Sequence, residues 1–208
     1  MTESDLPSSA TPPKKRAVEV RDLIMESLEA LLWERPLRDI TVQAIMERTD
    51  LSRPSFYIHF KSVPALLADV LTAYETVMVE AVTPWLTQPD NGIEGLRVAL
   101  GRIVDVAVEN GAVFRACSEA ATVDSDLAKA WDDFMDRWDD AVSARIQASQ
   151  ESGSALATID PEMTACALNR MNAAVLIRSF GQRPQGDPAR VLDTLVHVWH
   201  RTIYASAD

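Results

Sequence analysis

The stretch ITVQAIMERTDLSRPSFYIHFK, residues 40–61, decides the fold. Thr41 stands before a short apolar-periodic segment, residues 42–48, where its hydroxyl can accept a hydrogen bond from an amide of the first helical turn. A three-residue turn, 49–51, leads to Ser52, which we expect to cap a second helix that has a proline in its first turn. Two short helices joined by a tight turn predict a helix-turn-helix.

The rest of the chain carries a helical pattern interrupted by turn residues. Before the motif, Val20, Ile24, Leu28 and Leu31 recur at three and four residues until Pro36. After the motif we predict helices at about 62–84, 92–110, 112–120, 124–150, 160–181 and 188–205. With only 7 glycines and no alternating runs of β-branched residues, the sequence predicts an all-α fold of nine helices, three of them N-terminal.

Composition excludes several classes of protein. The chain is 47% hydrophobic and 25% charged, as in globular domains, and contains no apolar run long enough to span a bilayer. The first residues lack the apolar core of a signal peptide, so we expect a cytoplasmic protein without a membrane partner. The glycine-rich loops of nucleotide-binding proteins and the hydrolase elbow are absent, and Cys117 and Cys166 form no metal-ligand pattern. We therefore predict neither an enzyme nor a cofactor.

The charge is unevenly distributed along the chain. The net charge of −11 argues against binding to nucleic acid, because neutralisation of phosphates by Lys and Arg supplies much of that affinity. Residues 1–61, however, hold 9 basic and 10 acidic side chains, whereas residues 62–208 hold 11 and 21. The acidity belongs to the C-terminal part, so a DNA contact by the N-terminal part stays open.

Residues 40–61 resemble the helix-turn-helix of the TetR family of transcriptional regulators. The resemblance rests on the threonine and serine that begin the two helices and on the ending aromatic-aromatic-x-His-Phe-Lys. A closer likeness to one member of that family extends through ERPLRDITV, the Trp-x-x-Phe-Met-x-x-Trp pattern, ALNRMN and VLDTLVHVWHRTIY. Residues 1–13 are rich in Pro, Ser and Thr and have few large apolar groups, so we expect a flexible arm there. The resemblance implies a DNA-binding domain at 14–61 and a ligand-binding and dimerisation domain at 62–208.

The second helix of such a motif enters the major groove. The guanidinium of Arg53 can donate to O6 and N7 of guanine, and Ser55 can reach a base or a phosphate. The resemblance implies that a further set of residues contacts phosphates: Thr41, Gln43, Ser52, Tyr57, His59 and Lys61. The alternative is an ordinary solvated helical face. Two residues depart from the family pattern, namely Asp50 where glycine is usual in the turn and Met46 where alanine is usual between the helices.

An aromatic stripe marks the larger domain. Trp131, Met135, Trp138 and Val142 recur at helical spacing, which is typical either of ordinary core or of the wall of a ligand cavity. The resemblance implies a cavity, with further lining from Leu96, Ile103, Phe134, Ile177, Phe180 and Trp199. Asn169 and Asn172 project toward it and must pair with each other, with water, with a ligand or within the core. Such a site suits an uncharged, elongated apolar ligand.

Two features of the C-terminal half concern partners. The helices at 160–181 and 188–205 are apolar on more than one face through Ala165, Ala173, Ala174, Val191, Leu195, Val198 and Ile203, which with the resemblance predicts a four-helix homodimer interface. Asp193, His197 and His200 share a helical face, but no fourth ligand accompanies them, so we predict no metal. The aspartates between 132 and 140 are typical of a solvated face.

The combined prediction is a homodimeric repressor that binds a palindromic operator in double-stranded DNA. A small hydrophobic effector releases it, and the resemblance implies control of a monooxygenase-type or other metabolic gene. The alternatives are an activator of the same fold and a helical lipid-handling protein that does not bind DNA.

Overall fold

The computed structural model describes residues 13–88 and 92–204, and this part of the chain consists of helices and turns. The helices are α1 (Pro13–Leu32), α2 (Val42–Met46), α3 (Arg53–His59), α4 (Val63–Thr87), α5 (Gly92–Ala120), α6 (Ser125–Glu151), α7 (Pro161–Phe180) and α8 (Pro188–Ile203), with a 3-10 turn at Leu37–Asp39 between α1 and α2. The predicted all-α class is confirmed. The predicted arm lies outside the described residues except for its last residue, Pro13, which begins α1.

The predicted number of helices is wrong by one, because the described residues form eight α-helices. The two helices expected on either side of Gly111 are one helix, α5, which kinks at Asn110 (φ −126°, ψ 16°). Gly111 serves close packing instead, since a Cβ at this position would lie 2.4 Å from the backbone oxygen of Phe180 at the end of α7. The missing side chain lets two helices meet without ending either of them.

The N-terminal three helices form a small head with its own apolar contacts. Ile24 and Leu28 of α1 are completely buried, as are Ile45 of α2 and Phe56 of α3. The hydroxyl of Ser27 donates a 2.8 Å hydrogen bond to the carbonyl of Ile45 and so fixes α1 against α2. Burial of these side chains supplies most of the stability of such short helices, which are marginal on their own.

The turn between α2 and α3 depends on one residue in an unusual conformation. Asp50 has a φ of 54°, in the left-handed region that Asp and Asn tolerate better than most residues. Thr49 closes the turn through its hydroxyl, which donates to the carbonyl of Met46 at 2.9 Å. Met46 itself is buried between the helices. The two departures from the family pattern therefore still permit the expected turn.

The long helix α4 connects the head to a body made of α5 to α8. Ser62 caps it as predicted, accepting a hydrogen bond from the amide of Ala65 at 3.2 Å. The helix continues past the predicted end near Pro84 to Thr87, because a proline in the last turn removes only its own N–H while the amide of Gln88 still bonds the carbonyl of Pro84. In the body α4 packs on α5 and α6, and α7 packs on α5 and α6.

Aspartates begin three of the body helices. Asp124, Asp160 and Asp187 each accept hydrogen bonds from amides of the first turn of α6, α7 and α8. These caps fix where each helix starts and therefore which side chains face inward. Within residues 13–88 and 92–204, no helix is long and apolar enough to span a membrane.

Candidate DNA-binding surface and ligand cavity

The exposed face of α3 carries polar and basic side chains over a buried aromatic base. Phe56 and Phe60 face inward, with their ring centroids 5.7 Å apart. Arg53 and Tyr57 are exposed, and the guanidinium of Arg53 lies 3.5 Å from the hydroxyl of Tyr57. Because Phe56 and Phe60 hold the helix against the rest of the head, Arg53 and Tyr57 point toward solvent in a defined orientation.

The remaining predicted DNA contacts differ in exposure. Thr41, Gln43, Ser52 and Lys61 are exposed, whereas Ser55 and His59 are half-buried. Tyr57 is 52% exposed. All eight predicted residues therefore keep some accessible surface, on α2, on α3 or next to them.

Ser52 does not act as the side-chain cap that the sequence predicts. It occupies the N-cap position of α3, but its hydroxyl pairs with that of Ser55 at 3.0 Å. Pro54 has no N–H to donate, and the amide of Ser55 already donates to the carbonyl of Ser52 at 2.9 Å. Both hydroxyls consequently remain at the surface, where they can turn toward a phosphate.

The two predicted α2 contacts have local partners. The hydroxyl of Thr41 accepts from the amide of Ala44 at 3.2 Å, as the sequence predicts. The side-chain amide of Gln43 donates to the carboxylate of Glu47 at 2.8 Å. Contact with DNA would require Gln43 to exchange this surface hydrogen bond, which contributes little in water.

Sequence reasoning missed one exposed residue on α3. Ile58 is 78% exposed, the largest exposure of any apolar side chain on that helix. The available signal was its position between Phe56 and Phe60, because two inward residues four apart leave the middle residue on the opposite side. An exposed isoleucine next to Tyr57 offers an apolar contact for a thymine methyl.

The body encloses an apolar cavity between α4, α5, α6 and α7. Its empty space is about 600 Å³, including the part that opens to solvent, and the slot between the walls is narrow. The lining comprises Met78, Ile103, Ala107, Gly111, Phe114, Trp131, Phe134, Met135, Trp138, Asn169, Asn172, Ala173, Leu176 and Ile177. An aromatic wall with two amides is the usual composition of a site for a small apolar ligand.

A second, smaller space adjoins the first, with about 320 Å³ of empty volume including the part that opens to solvent. Ile103, Trp138 and the two asparagines line both spaces, and Leu96, Val142 and Trp199 line the second. The two compartments therefore share part of their walls.

Eleven of the twelve predicted lining residues lie on one compartment or both, and Phe180 does not. Phe180 is completely buried, and its backbone is the surface against which Gly111 packs. Its ring therefore belongs to the core at the end of α7, which corrects the prediction for this residue.

The predictions also missed lining residues on α4 and α5. Met78, Phe114 and Ala107 line the first compartment, and Trp85 and Val82 line the second. The ring of Phe114 contacts both the aromatic wall and a residue outside the lining, with its centroid 6.4 Å from that of Phe134 and 6.0 Å from that of Tyr74. The only signal was their inward position on amphipathic helices, which does not separate cavity from core.

The two asparagines have protein partners, so they do not pair with each other. Asn169 donates from its amide nitrogen to a carboxylate oxygen of Asp139 at 2.8 Å. Asn172 accepts at its oxygen from the indole N–H of Trp199 at 2.9 Å. These bonds fix the orientation of both amides and direct the oxygen of Asn169 and the nitrogen of Asn172 to other partners.

Asp139 corrects the expectation of a fully solvated aspartate face. Its side chain is only 17% exposed, because it faces α7, where it pairs with Arg170 at 3.4 Å as well as with Asn169. Asp136, by contrast, is 71% exposed. The position of Asp139 on α6 places its carboxylate between Asn169 and the surface, while Asp136, one turn earlier, remains in solvent.

The predicted dimer surface is smaller than the sequence suggests. Ala165, Leu195 and Ile203 are buried within the chain's own core, so they are not free to meet a partner. Ala174 is exposed, and Val191 and Val198 are half-buried. On α8, Asp193 pairs with Arg97 at 2.8 Å, and the described residues contain no group of three or more potential metal ligands.

A helix-turn-helix head joined by a long helix to a body with an apolar cavity defines a helix-turn-helix transcriptional regulator. The chain belongs to the TetR family: residues 24–70 match the model of the bacterial regulatory proteins of the tetR family, and residues 96–205 match the C-terminal domain of the transcriptional regulator EthR. It is 36% identical to the HTH-type transcriptional regulator EthR of Mycobacterium tuberculosis H37Rv over 187 residues, 87% of this chain and 85% of that protein. This confirms the resemblance seen in the sequence.

More distant proteins share the fold. The EthR of Mycolicibacterium smegmatis is 26% identical over 196 residues, covering 88% of this chain and 85% of that protein. The fatty acid degradation regulator FadR of Bacillus halodurans superposes with a TM-score of 0.76 at 11% identity, covering 91% of this chain and 96% of that one. SmeT, a repressor from Stenotrophomonas maltophilia, superposes with a TM-score of 0.72 at 15% identity, covering 90% of this chain and 91% of that one. At these identities the structural neighbours show the fold alone.

Proposed function

We propose that the protein is a homodimeric repressor that binds a palindromic operator through α2 and α3 and is released by an uncharged apolar ligand in the body. The observation that supports this most directly is the aromatic cavity with two oriented amides in a chain that also carries the helix-turn-helix. We infer further that it acts in the cytoplasm, without catalysis or a cofactor. Its relatives, the EthR regulators, support the regulatory role.

The DNA-contacting residues divide by what they can read. Arg53 has the planar group that recognises guanine, and the hydroxyl of Ser55 can reach a base, so we assign base reading to these two residues. Thr41, Gln43, Ser52, Tyr57, His59 and Lys61 position the head on phosphates. The exposed side of α7 and α8 forms the dimer contact, and two-fold symmetry then sets the recognition helices about 34 to 36 Å apart.

The ligand class follows from the free groups of the asparagines. The nitrogen of Asn172 is a donor and the oxygen of Asn169 is an acceptor, while nearly all the remaining wall is apolar. A secondary amide between two alkyl chains presents both complementary groups. N-hexylhexanamide is therefore a suitable probe, and hexylammonium, which places a charge in the same apolar walls, is the matched negative control.

The ligand acts only if it binds one state of the protein better than the other. We propose that the bound amide favours a state in which the two heads no longer match the operator. By linkage, DNA then weakens ligand binding by the same factor. Whether the regulated promoter is repressed or activated depends on where the operator lies, so an activator is the second candidate, supported by the same surface.

The test is fluorescence anisotropy with the DNA immediately upstream of the protein's own gene, across a salt series, with random DNA as control. An operator-binding protein making about 6 to 10 phosphate contacts loses about a thousandfold or more in affinity between about 50 and 200 mM salt. Preference over random DNA that N-hexylhexanamide relieves would support the proposal. Amide binding that barely changes with salt, with no preference for any genomic DNA in a binding selection, would instead favour a lipid-handling protein.

A further inference from the structure

Arg115 connects three helices from within the body. It lies on α5 with its side chain only 13% exposed. Its Nε donates to the carbonyl of Gly181 at 2.8 Å, and one terminal nitrogen donates to the carbonyl of Leu32 at 2.9 Å. The other terminal nitrogen faces the carboxylate of Glu119 at 3.4 Å.

The two carbonyls that Arg115 binds close two different helices. Leu32 is the last residue of α1, in the DNA-binding head, and Gly181 is the C-cap residue of α7, in the ligand-binding body. The C-terminal end of a helix carries partial negative charge on its unpaired carbonyls, so a cation between two such ends stabilises both. One side chain of α5 thereby holds the head against the body.

The loop after α7 strengthens the same junction. The guanidinium of Arg183 lies 4.8 Å from the ring centroid of Trp33, the residue that follows α1. The side-chain amide of Gln185 donates to the carbonyl of Val108 on α5 at 2.7 Å and to that of Phe180 at 3.1 Å. The position of the end of α1 therefore depends on the end of α7 as well as on α4.

The helices that meet at Arg115 also line the cavity. Gly111 and Phe114 of α5 face Leu176 and Ile177 of α7 across it. Arg115 comes directly after Phe114, and Gly111 touches the backbone of Phe180 one residue before Gly181. Any ligand that separates these two walls must move Arg115 relative to Gly181. The rigid guanidinium fork cannot follow both carbonyls when the distance between them changes.

We propose that Arg115 is the positioning residue that couples the cavity to the DNA-binding head. With the walls together it holds α1 in the orientation that fits the operator, and separation of α5 from α7 makes it release Leu32 or Gly181. This inference rests on the proposed function for its consequence on DNA, but the coupling itself is a property of the chain. It can therefore be measured apart from any natural ligand.

The experiment uses a built-in wedge in place of a ligand. The variant Gly111→Ala places a methyl group 2.4 Å from the backbone oxygen of Phe180, so α5 and α7 must separate. It is combined with Arg115→Lys, which keeps the charge but loses the bidentate geometry. The wild type, both single variants and the double variant form a double-mutant cycle, with circular dichroism used to verify that each is folded.

The readout is affinity for the upstream DNA. Gly111→Ala is expected to weaken binding about tenfold or more in the wild-type background, within the usual range of allosteric coupling. In the Arg115→Lys background the wedge should weaken binding by less than about threefold, because the junction is already uncoupled. A purely structural arginine gives equal wedge effects in both backgrounds, and that result would overturn the proposal.

A second readout does not depend on DNA. The amides of Glu34 and Arg35 both donate to the carbonyl of Leu31 at 3.0 Å and report on the end of α1 by hydrogen exchange. Gly111→Ala should accelerate hydrogen exchange of these two amides in the wild-type background. It should cause no further acceleration in the Arg115→Lys background. If this cycle is non-additive while no DNA is preferred, the coupling stands and the repressor proposal fails. If DNA is bound with preference while the cycle is additive, the repressor proposal stands and the coupling fails.

Glu119→Gln is the matched control, because it removes only the negative charge of the third and most distant partner of Arg115. It should leave the full wedge effect on both readouts. Loss of the wedge effect in Glu119→Gln would mean that the surface ion pair, and not the two helix ends, carries the coupling.

Discussion

The hydroxyl of Tyr74 donates a 2.7 Å hydrogen bond to the side-chain oxygen of Asn110, the residue at which α5 kinks. Burial is the main cause that raises the pKa of Tyr74, and the nearby carboxyl of Glu29 on α1 adds to the shift. The ring of Tyr74 lies 6.0 Å from Phe114 in the cavity wall. A residue of α4 thus contacts both the head and the kinked helix of the body. This is a second link between them, on the side of α5 that faces α4.

Removal of that hydroxyl should destabilise the fold. In Tyr74→Phe the half-buried oxygen of Asn110 loses its donor, which costs about 1 kcal/mol, up to about 3 kcal/mol if no water replaces it. Urea denaturation followed by circular dichroism measures the change. Thr72→Val, which removes an exposed hydroxyl bonded only within α4, is the control and should change stability far less. Equal stability of Tyr74→Phe and wild type would mean that the hydroxyl makes no net contribution.

The half-buried carboxyl of Glu29 should make the stability of the fold decrease as the pH rises. Burial is the main cause that raises the pKa of its carboxyl above the ordinary value of 4.5, the nearby hydroxyl of Tyr74 opposes the shift, and the nearby Glu26 adds to it. A folded-state pKa above the unfolded value means that the protonated form is favoured by folding. Stability from this group is complete below pH 4.5 and is lost as the pH rises through the raised folded pKa.

The variant Glu29→Gln should remove that loss. Its free energy of unfolding should fall less than that of wild type as the pH rises from about 4.5 toward neutrality. Urea titrations at several pH values measure the difference. Glu26→Gln, which removes only the smallest of the contributions to the pKa shift of Glu29, should reduce the loss far less than Glu29→Gln. If the free energy of unfolding of Glu29→Gln fell more steeply with pH than that of wild type, folding would lower the pKa of Glu29, and the raised pKa would be contradicted.

Arg53 and Lys61 should behave differently on DNA. Arg53→Ala should cost about 1 to 3 kcal/mol on the specific site and relax base preference at one position. Lys61→Ala should weaken binding to all sequences alike and lower the salt slope by about 1. Anisotropy on specific and random DNA separates the two outcomes. If Arg53→Ala loses the same affinity on random DNA, the arginine contacts only phosphate.

Filling the wall shared by the two compartments should block the ligand. Ile103→Trp adds a large ring at the point where both spaces meet. Affinity for N-hexylhexanamide should fall about tenfold or more, a change of about 1.4 kcal/mol, and affinity for DNA should no longer respond to the amide. Arg102→Trp places the same ring on the exposed side of α5 as control. Unchanged amide affinity in Ile103→Trp would locate the ligand elsewhere.

The sequence is most informative where local chemistry decides the structure. Thr41, Ser62 and Asp124 are predictable as helix caps because capping depends on residues three positions apart, and Asp50 as a turn residue because few side chains tolerate its conformation. Most of the cavity wall follows from the family resemblance. The inward position of Phe56 and Phe60 follows from helical spacing alone.

The missed features depend on contacts between distant segments or on competition between neighbouring groups. Gly111 resembles a helix break in the sequence, and only the position of Phe180 explains it as a close contact. The hydroxyl of Ser52 pairs with Ser55 because Pro54 offers no amide. The role of Arg115 has no local signal at all, since its partners lie 83 and 66 residues away in the chain.

The most direct measurement of the central claim is the reciprocity between DNA and ligand. The affinity for the upstream DNA is measured with and without saturating N-hexylhexanamide, and the affinity for the amide is measured with and without saturating DNA, in the same buffer. A ligand-gated repressor predicts that both affinities weaken by the same factor, about 5 to 150-fold. If each partner binds with an affinity that the other leaves unchanged, the cavity does not control the head, and ligand gating is contradicted.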